Sequence, residues 1–438
     1  VVALIASLHL PGDKSISHRA LLLAALCEGE TRINGLLVAE DVRATYNALR
    51  ALGVECSPFA PDVTVRGGGP SALRSPVDVV DCGNSGTTAR LLAGMVAGCP
   101  SVSVTLTGDA SLSRRPMQRV ADPLRAMGAE LSLSARGTLP MHIRGAALRE
   151  TSHVLPVASA QVKSALLLAG VASGCAVTVQ EPLPSRDHTE RMLRALGIPI
   201  SESRTDAQIS THMGAVGAVQ ARNVTVPGDS SAAAVFAALA VLSMNGEIVL
   251  QAVGLNPTRL GWVRLLQQMG AHVEVCHSKL APDGIGEPVG AVRARSSRLR
   301  GITIGANVIP ETIDELVLLA CVAACAEGQT VIAGAAELRV KESDRIHLTV
   351  RNLRAVGVHA EEHADGMVIE GTSAPLRGVV HTEGDHRQAM AFGMLGARHG
   401  NAITVDNPDC VRVSYPTYWD DLRRVSASFP AAQSTLSS

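Results

Sequence analysis

Five times along this chain a helix-like segment ends in glycine and runs into a β-like stretch: LRALGVEC at 49–56, LRAMGAEL at 124–131, LRALGIPI at 193–200, LQQMGAHV at 266–273 and LRAVGVHA at 353–360. Each reads as an amphipathic helix closed at Gly53, Gly128, Gly197, Gly270 or Gly357, because glycine reaches the left-handed C-terminal conformation without a Cβ clash. Between these lie more apolar runs: HRALLLAALCEG (18–29), GTTARLLAGMVAG (86–98), SAQVKSALLLAGVASG (159–174), DSSAAAVFAALAVL (229–242), DELVLLACVAACAEG (314–328) and DHRQAMAFGMLGARHG (385–400). They are nearly apolar all round, which predicts helices buried on every side. Strand-like segments such as SVSVTLTG, GEIVLQAVG and AITVDNP follow them. A period this long is the mark of a repeated supersecondary unit. The unit here is a buried helix, a strand, an amphipathic helix and one or two further strands, six times over.

The copies also pair at a higher level. LPGDKSISHRALLLAAL at 10–26 resembles VPGDSSAAAVFAALAVL at 226–242, about half the chain away. This predicts two similar α/β domains of three units each, one spanning 14–225 and the other 1–13 plus 226–438. The opening VVALIASLHLPGD reads as a strand, with no basic region or cleavage site of a targeting segment. RGGGPSALR at 66–74 reads as a loop.

Composition narrows the partners. A formal net charge of −1 excludes a surface built to track a polyanion, and four Phe, three Tyr and two Trp leave little for stacking bases. Nucleic acid and membrane are therefore not expected partners. No run reaches the roughly 18 to 20 apolar residues of a membrane span. Nine cysteines without a CxxC pair predict reduced thiols and a cytoplasmic protein, with Cys321 and Cys325 in the core. A monomer is expected, since the buried helices can satisfy one another.

The polar residues fall at helix starts, where unpaired N–H groups and the helix dipole already favour anions. Lys14, Ser15 and Arg19 open the first buried helix; Asn84, Ser85, Gly86, Thr87 and Arg90 the second; Ser159, Gln161 and Lys163 the third; Asp385, His386 and Arg387 the sixth. The amphipathic helices add Arg114, Arg115, Ser185, Arg186 and the cluster RVKESDR, with Arg339, Lys341, Glu342 and Arg345. Singly, a Ser or Asp before a helix is an ordinary cap. Together they point to a small ligand with several negative charges, suited to guanidinium forks and ammonium groups. Asp314 and Glu342 stand among these bases. They read either as acid and base groups or as a helix cap and a partner of Arg345. Gly12-Asp13-Lys14-Ser15 lacks the spacing of a nucleotide P-loop, and His188 and Glu190, two residues apart, do not share a helix face as zinc ligands would.

The ordered motifs LPGDKSISHRALLLAAL, DCGNSGTTARLLAG, TGDASLSRRPM, ASAQVKSALLLAG, SRDHTERML, RVKESDR and DHRQAMA resemble the 5-enolpyruvylshikimate-3-phosphate (EPSP) synthase family, from about residue 10 to 420, and most closely its class II bacterial branch. The resemblance implies a two-domain inside-out α/β barrel of six βαβαββ repeats, three per domain, with the active site in the cleft between them. It implies transfer of the enolpyruvyl group of phosphoenolpyruvate to the 5-hydroxyl of shikimate 3-phosphate, with phosphate released and no metal or organic cofactor.

By motif, Lys14 touches both substrates. Ser15, Arg19, Ser159, Gln161, Ser185, Arg186, Asp314 and Lys341 serve shikimate 3-phosphate. Gly86, Arg115, Gln161, Arg345 and Arg387 hold phosphoenolpyruvate. Asp314 takes the 5-hydroxyl proton, and Glu342 carries a proton to the methylene carbon. Three positions depart from the family pattern: His18 stands where Asn is usual, Glu337 where class I members carry Asn, and Val413 at the lysine of the last repeat. Arg412 beside it, on a strand, would face the other way. A UDP-N-acetylglucosamine enolpyruvyl transferase shares fold and donor but has a loop cysteine where this chain reads TGDASLSRRP. A non-catalytic anion-binding relative would not need both Asp314 and Glu342.

Overall fold

The structure, a computed structural model, describes residues 6–205, 208–280, 283 and 286–429. The chain forms two compact units, one of Pro11–Pro227 with Leu280–Pro288, the other of Val1–Leu10, Gly228–Lys279 and Val289–Ser438. The chain passes between them at the two Pro-Gly-Asp turns. Of the described residues, Leu280, Asp283 and Gly286–Pro288, expected with the second half of the chain, group instead with the first unit.

Among the described residues the strands form five four-stranded sheets and one two-stranded sheet. The second sheet shows the common plan. Val80–Asp81 runs parallel to Ser103–Thr107, which pairs antiparallel with Met141–Arg144, and that strand pairs antiparallel with Glu130–Leu133. The third sheet repeats it with Thr151–Val154, Val177–Glu181, Ile209–Met213 and Ile200–Arg204. In the sixth repeat Arg377–Val380 and Ala402–Val405 pair parallel, and the chain then turns into the final helix Tyr418–Ser428.

The first sheet of each unit borrows its leading strand. Val224–Thr225 runs parallel to Glu28–Asn34, and Ala6–His9 runs parallel to Glu247–Gly254. In each case the strand that precedes a unit's first helix in sequence completes the other unit's sheet. RGGGPSALR is only partly a loop, since its first three residues end the strand Val63–Gly68 and Pro70–Ala72 is a short 3-10 turn.

The apolar runs form the helices Lys14–Leu26, Gly86–Ala97, Ala160–Ser173, Ser230–Leu242, Leu316–Ala323 and His386–Gly396. Every residue from Ile16 to Leu26 is buried, as is every residue from Ser230 to Val241. No face is left for solvent, so these helices are the cores around which each unit's sheets pack. The five glycines that close the amphipathic helices all have positive φ, between 85° and 109°.

Small residues let the buried helices approach closely. A Cβ on Gly94 would overlap the carbonyl of Ala165 on the neighbouring helix, and one on Gly98 would lie 2.8 Å from the Ala172 methyl. Gly94→Ala should therefore destabilise the protein by about 1–3 kcal/mol, as overpacking of a dense core does. Urea unfolding monitored by circular dichroism measures this, and an unchanged midpoint would refute the close packing.

Candidate active site

Five of the six buried helices carry a side-chain N-cap. Asp13, Ser85, Ser159, Asp229 and Asp385 each accept a hydrogen bond from a backbone N–H one turn in. The helix at Leu316 has no side-chain cap. Asp314 is thus not a cap. It sits in the turn between the short helix Ile309–Thr312 and Leu316–Ala323, with its carboxylate turned to two arginines.

In the first unit the helix starts converge. Lys14 Nζ lies 2.9 Å from Asp41 Oδ2 at the start of the next helix. Arg19 is buried and spends its guanidinium on Thr189 Oγ1 (2.7 Å), Ser164 Oγ (2.8 Å) and the Ser15 carbonyl (2.9 Å). Burial lowers its pKa to about 10, offset in part by the charges of Glu190 and Asp13 and reinforced by the cation Arg186. Gln161 accepts from Arg90 Nη1 at 2.8 Å and donates to Thr87 at 3.0 Å, which ties the third buried helix to the second. Arg115 donates to Asn84 Oδ1 at 2.7 Å. Gly86 leaves the space these arginines use, since a Cβ there would stand 2.7 Å from Arg90 Nη1 and 3.3 Å from Arg115 Nη1.

His18 is wholly buried and hydrogen-bonds through Nδ1 to Thr45 Oγ1 at 2.7 Å. Thr45 bonds Thr88, and Thr88 bonds the capping Ser85. Burial, then Lys14 and Arg19, hold its pKa well below the ordinary value, so the imidazole is neutral. Beneath the serines lies a set of buried charges. Lys163 Nζ is 2.6 Å from Glu181 and 2.8 Å from Glu190. Burial alone would lower the Lys163 pKa, but Glu190 and Glu181 outweigh it and hold it above the ordinary lysine value. Glu181 also accepts from the Ser159 N–H and the Ser185 hydroxyl, both at 2.9 Å.

In the second unit Arg345 is the hub. It is 1% exposed and makes a two-point contact with Asp385, Nε to Oδ2 at 2.8 Å and Nη2 to Oδ1 at 3.2 Å. Its Nη2 is also 2.6 Å from Glu342 and its Nη1 3.5 Å from Asp314. Burial opposes the charge, but Asp385, Glu342 and Asp314 raise the arginine's pKa. Arg387 reaches Asp314 at 4.0 Å. Lys341 lies 3.8 Å from Glu337, and burial lowers its pKa in spite of Glu337, Asp314 and Glu342 nearby. Ser231, Asp314, Glu315, Arg387 and Met390 line a small recess at these helix starts. Behind it Arg259 donates to Ser231 at 2.7 Å and lies 3.7 Å from Glu315.

Within each unit some of the expected residues meet: Arg19 reaches the Ser15 carbonyl, and Asp314 stands between Arg345 and Arg387, with Glu342 on Arg345. The reading of Val413 and Arg412 needs correction: Pro408–Val413 is a 3-10 turn rather than a strand, and Arg412 is exposed and pairs with Asp409 at 3.6 Å. Cys321 is buried, but Cys325 only half so. Sequence reasoning missed the partners that hold the site residues, namely Asp41, Thr189, Ser164, Glu181 and Asp385 as the anchor of Arg345. Ser164, Thr189 and Asp385 lie inside the quoted motifs without a sign of which residue they hold, while Asp41 and Glu181 lie outside them and only their burial marks them.

The enolpyruvyl transferase NikO from Streptomyces tendae shares the fold, with a TM-score of 0.74 at 18% identity over 97% of this chain and 95% of that one. An EPSP synthase structure from Acinetobacter baumannii matches with a TM-score of 0.83 at 41% identity, covering 97% of this chain and 96% of that one. The family model described as EPSP synthase (3-phosphoshikimate 1-carboxyvinyltransferase) matches residues 2–422. Proteins named 3-phosphoshikimate 1-carboxyvinyltransferase from Gloeobacter violaceus and Thermus thermophilus are each 46% identical. They match 94% and 96% of this chain and 95% and 96% of their own lengths. The chain belongs to the EPSP synthase family.

The two-point grip of Asp385 on Arg345 predicts a stability effect apart from any reaction. Removing one partner of a buried ion pair costs about 3–5 kcal/mol. Asp385→Ala should fall at the lower end, since Glu342 and Asp314 still face the arginine. Chemical denaturation measures it, and a loss below about 1 kcal/mol would contradict the geometry.

Proposed function

We propose that this chain catalyses the 3-phosphoshikimate 1-carboxyvinyltransferase reaction, transfer of the enolpyruvyl group of phosphoenolpyruvate to the 5-hydroxyl of shikimate 3-phosphate with release of phosphate. The full-length family match supports the reaction. The observation that carries the chemistry is the placement of Asp314, a carboxylate that caps no helix and faces Arg345 and Arg387.

The proposed roles follow the family motifs, and charge and donor chemistry support them. Lys14, Ser15, Arg19, Ser159, Gln161, Ser185 and Arg186 of the first unit, and Lys341 and Asp314 of the second, are assigned to shikimate 3-phosphate. Lys14, Gly86, Arg115, Gln161, Arg345 and Arg387 are assigned to phosphoenolpyruvate. Cations offset the charge of two anionic substrates, and guanidinium forks match carboxylate and phosphate oxygens.

Asp314 is the base for the 5-hydroxyl. As the hydroxyl oxygen attacks carbon 2 of the donor, carbon 3 must gain a proton, and Glu342 is the carrier. Glu342, whose carboxylate lies 2.6 Å from Arg345, donates in its protonated form and recovers a proton when carbon 3 loses one in the next step. Loss of phosphate and of a carbon 3 proton from the resulting tetrahedral adduct then regenerates the alkene.

Purified protein given both substrates, with no added metal, is expected to release inorganic phosphate. No release, or release only with UDP-N-acetylglucosamine as acceptor, overturns the proposal. Lys14→Ala and Arg115→Ala should raise KM about tenfold or more, the scale of one charge-assisted contact. Asp314→Ala should lower kcat by about 10²–10⁴, the usual share of general acid–base catalysis. Wild-type turnover by Asp314→Ala would remove it as the base.

A further inference from the structure

The Glu181 carboxylate makes three contacts at once. Its Oε1 accepts from the Ser159 N–H at 2.9 Å, while its Oε2 accepts from the Ser185 hydroxyl at 2.9 Å and meets Lys163 Nζ at 2.6 Å. It ends the strand Val177–Glu181, so one side chain ties the cap of the helix Ala160–Ser173 to the loop that leads into the helix His188–Ala195. Glu181, Lys163 and Glu190 are all buried. Burying this many charges is costly unless they are mutually compensated, and two carboxylates on one ammonium leave an excess negative charge. Burial raises the Glu190 pKa in spite of Lys163, which eases that excess.

From this geometry we infer that Glu181, charge-compensated by Lys163, is the positioning residue of the phosphate subsite. It fixes the two serines assigned to shikimate 3-phosphate without touching substrate itself, and the inference rests on that functional reading. The hydrogen-bond inventory makes the role specific. Ser185 has a single O–H, now donated to Glu181, so its oxygen presents only lone pairs to an incoming anion. It becomes a phosphate donor by turning its hydroxyl from Glu181 to the phosphate. The lysine ammonium has three N–H groups and remains against the carboxylate when that bond is given up. Glu181 thus holds Ser185 aimed and releases it at small cost, while the Ser159 N–H stays in place.

The test compares wild type with Glu181→Gln for binding of shikimate 3-phosphate and of shikimate by calorimetry, together with steady-state KM for both substrates. The expected result is about a tenfold weaker Kd and higher KM for shikimate 3-phosphate, the scale of one hydrogen bond to a charged group. The Kd for shikimate, the KM for phosphoenolpyruvate and kcat should stay within about twofold, a split that a general loss of structure would not produce. Parallel weakening of shikimate and shikimate 3-phosphate overturns the inference. So does an unchanged or tighter Kd for shikimate 3-phosphate, which would make Glu181 a repulsive charge. If Glu181→Gln shows no cooperative thermal transition, Glu181→Asp, which keeps the charge opposite Lys163 on a shorter arm, must show the same split. Wild-type protein that does not bind shikimate 3-phosphate overturns the functional reading and this inference with it.

Discussion

A helix buried on every side can offer polar chemistry only at its ends, and this constraint organises the molecule. The six apolar helices have no solvent face to carry charged groups, so lysines, arginines and carboxylates collect at their N-termini and in the adjoining loops and helices. There the backbone itself contributes positive potential. The caps matter doubly: Ser85, Ser159 and Asp385 satisfy N–H groups of their own helices and also hold chemistry-bearing neighbours. Asp385 shows this best, since one carboxylate caps a helix and grips Arg345 at two points.

Close approach of these ends forces charge compensation. A buried cation without a partner would shift towards its neutral form, and several of the described cations avoid this by facing carboxylates. Arg345 faces three carboxylates, Lys163 faces two, and Lys14 faces Asp41. Arg19 is the contrast. It is held by two hydroxyls and a carbonyl rather than by a carboxylate, and burial brings its pKa down to about 10.

The fold was legible because burial and turns leave periodic marks. The glycines at 53, 128, 197, 270 and 357 and the all-apolar helices both follow from local physics and recur six or nearly six times. What was not legible is long-range exchange. The repeat assigns 1–13 to the second domain, but nothing in the sequence of 6–9 or 224–225 names the strand it will pair with, because a short strand fits any open parallel edge. At the site, residues that open helices in charged motifs could be read directly. Glu181 and Thr189 could not, because a single acid at a strand end or a threonine in a helix looks like a surface residue until its burial is known.

The two units differ in how their cations are held, although each also carries buried or half-buried acids. Around Arg345 the second unit sets Lys341, Arg345 and Arg387 against Asp314, Glu337, Glu342 and Asp385, so its helix starts are rich in acid. Arg412 does not alter this, being turned outward on its 3-10 turn, and Val413 adds no charge where class I members have lysine. The first unit instead brings Lys14, Arg19, Arg90, Arg115 and Arg186 to its helix starts, and several of these are held by neutral partners. An acid-rich set suits proton transfer, whereas a set of cations on hydroxyl, amide and carbonyl partners suits anion binding. Transfer of an enolpyruvyl group between two anionic substrates needs both kinds of environment.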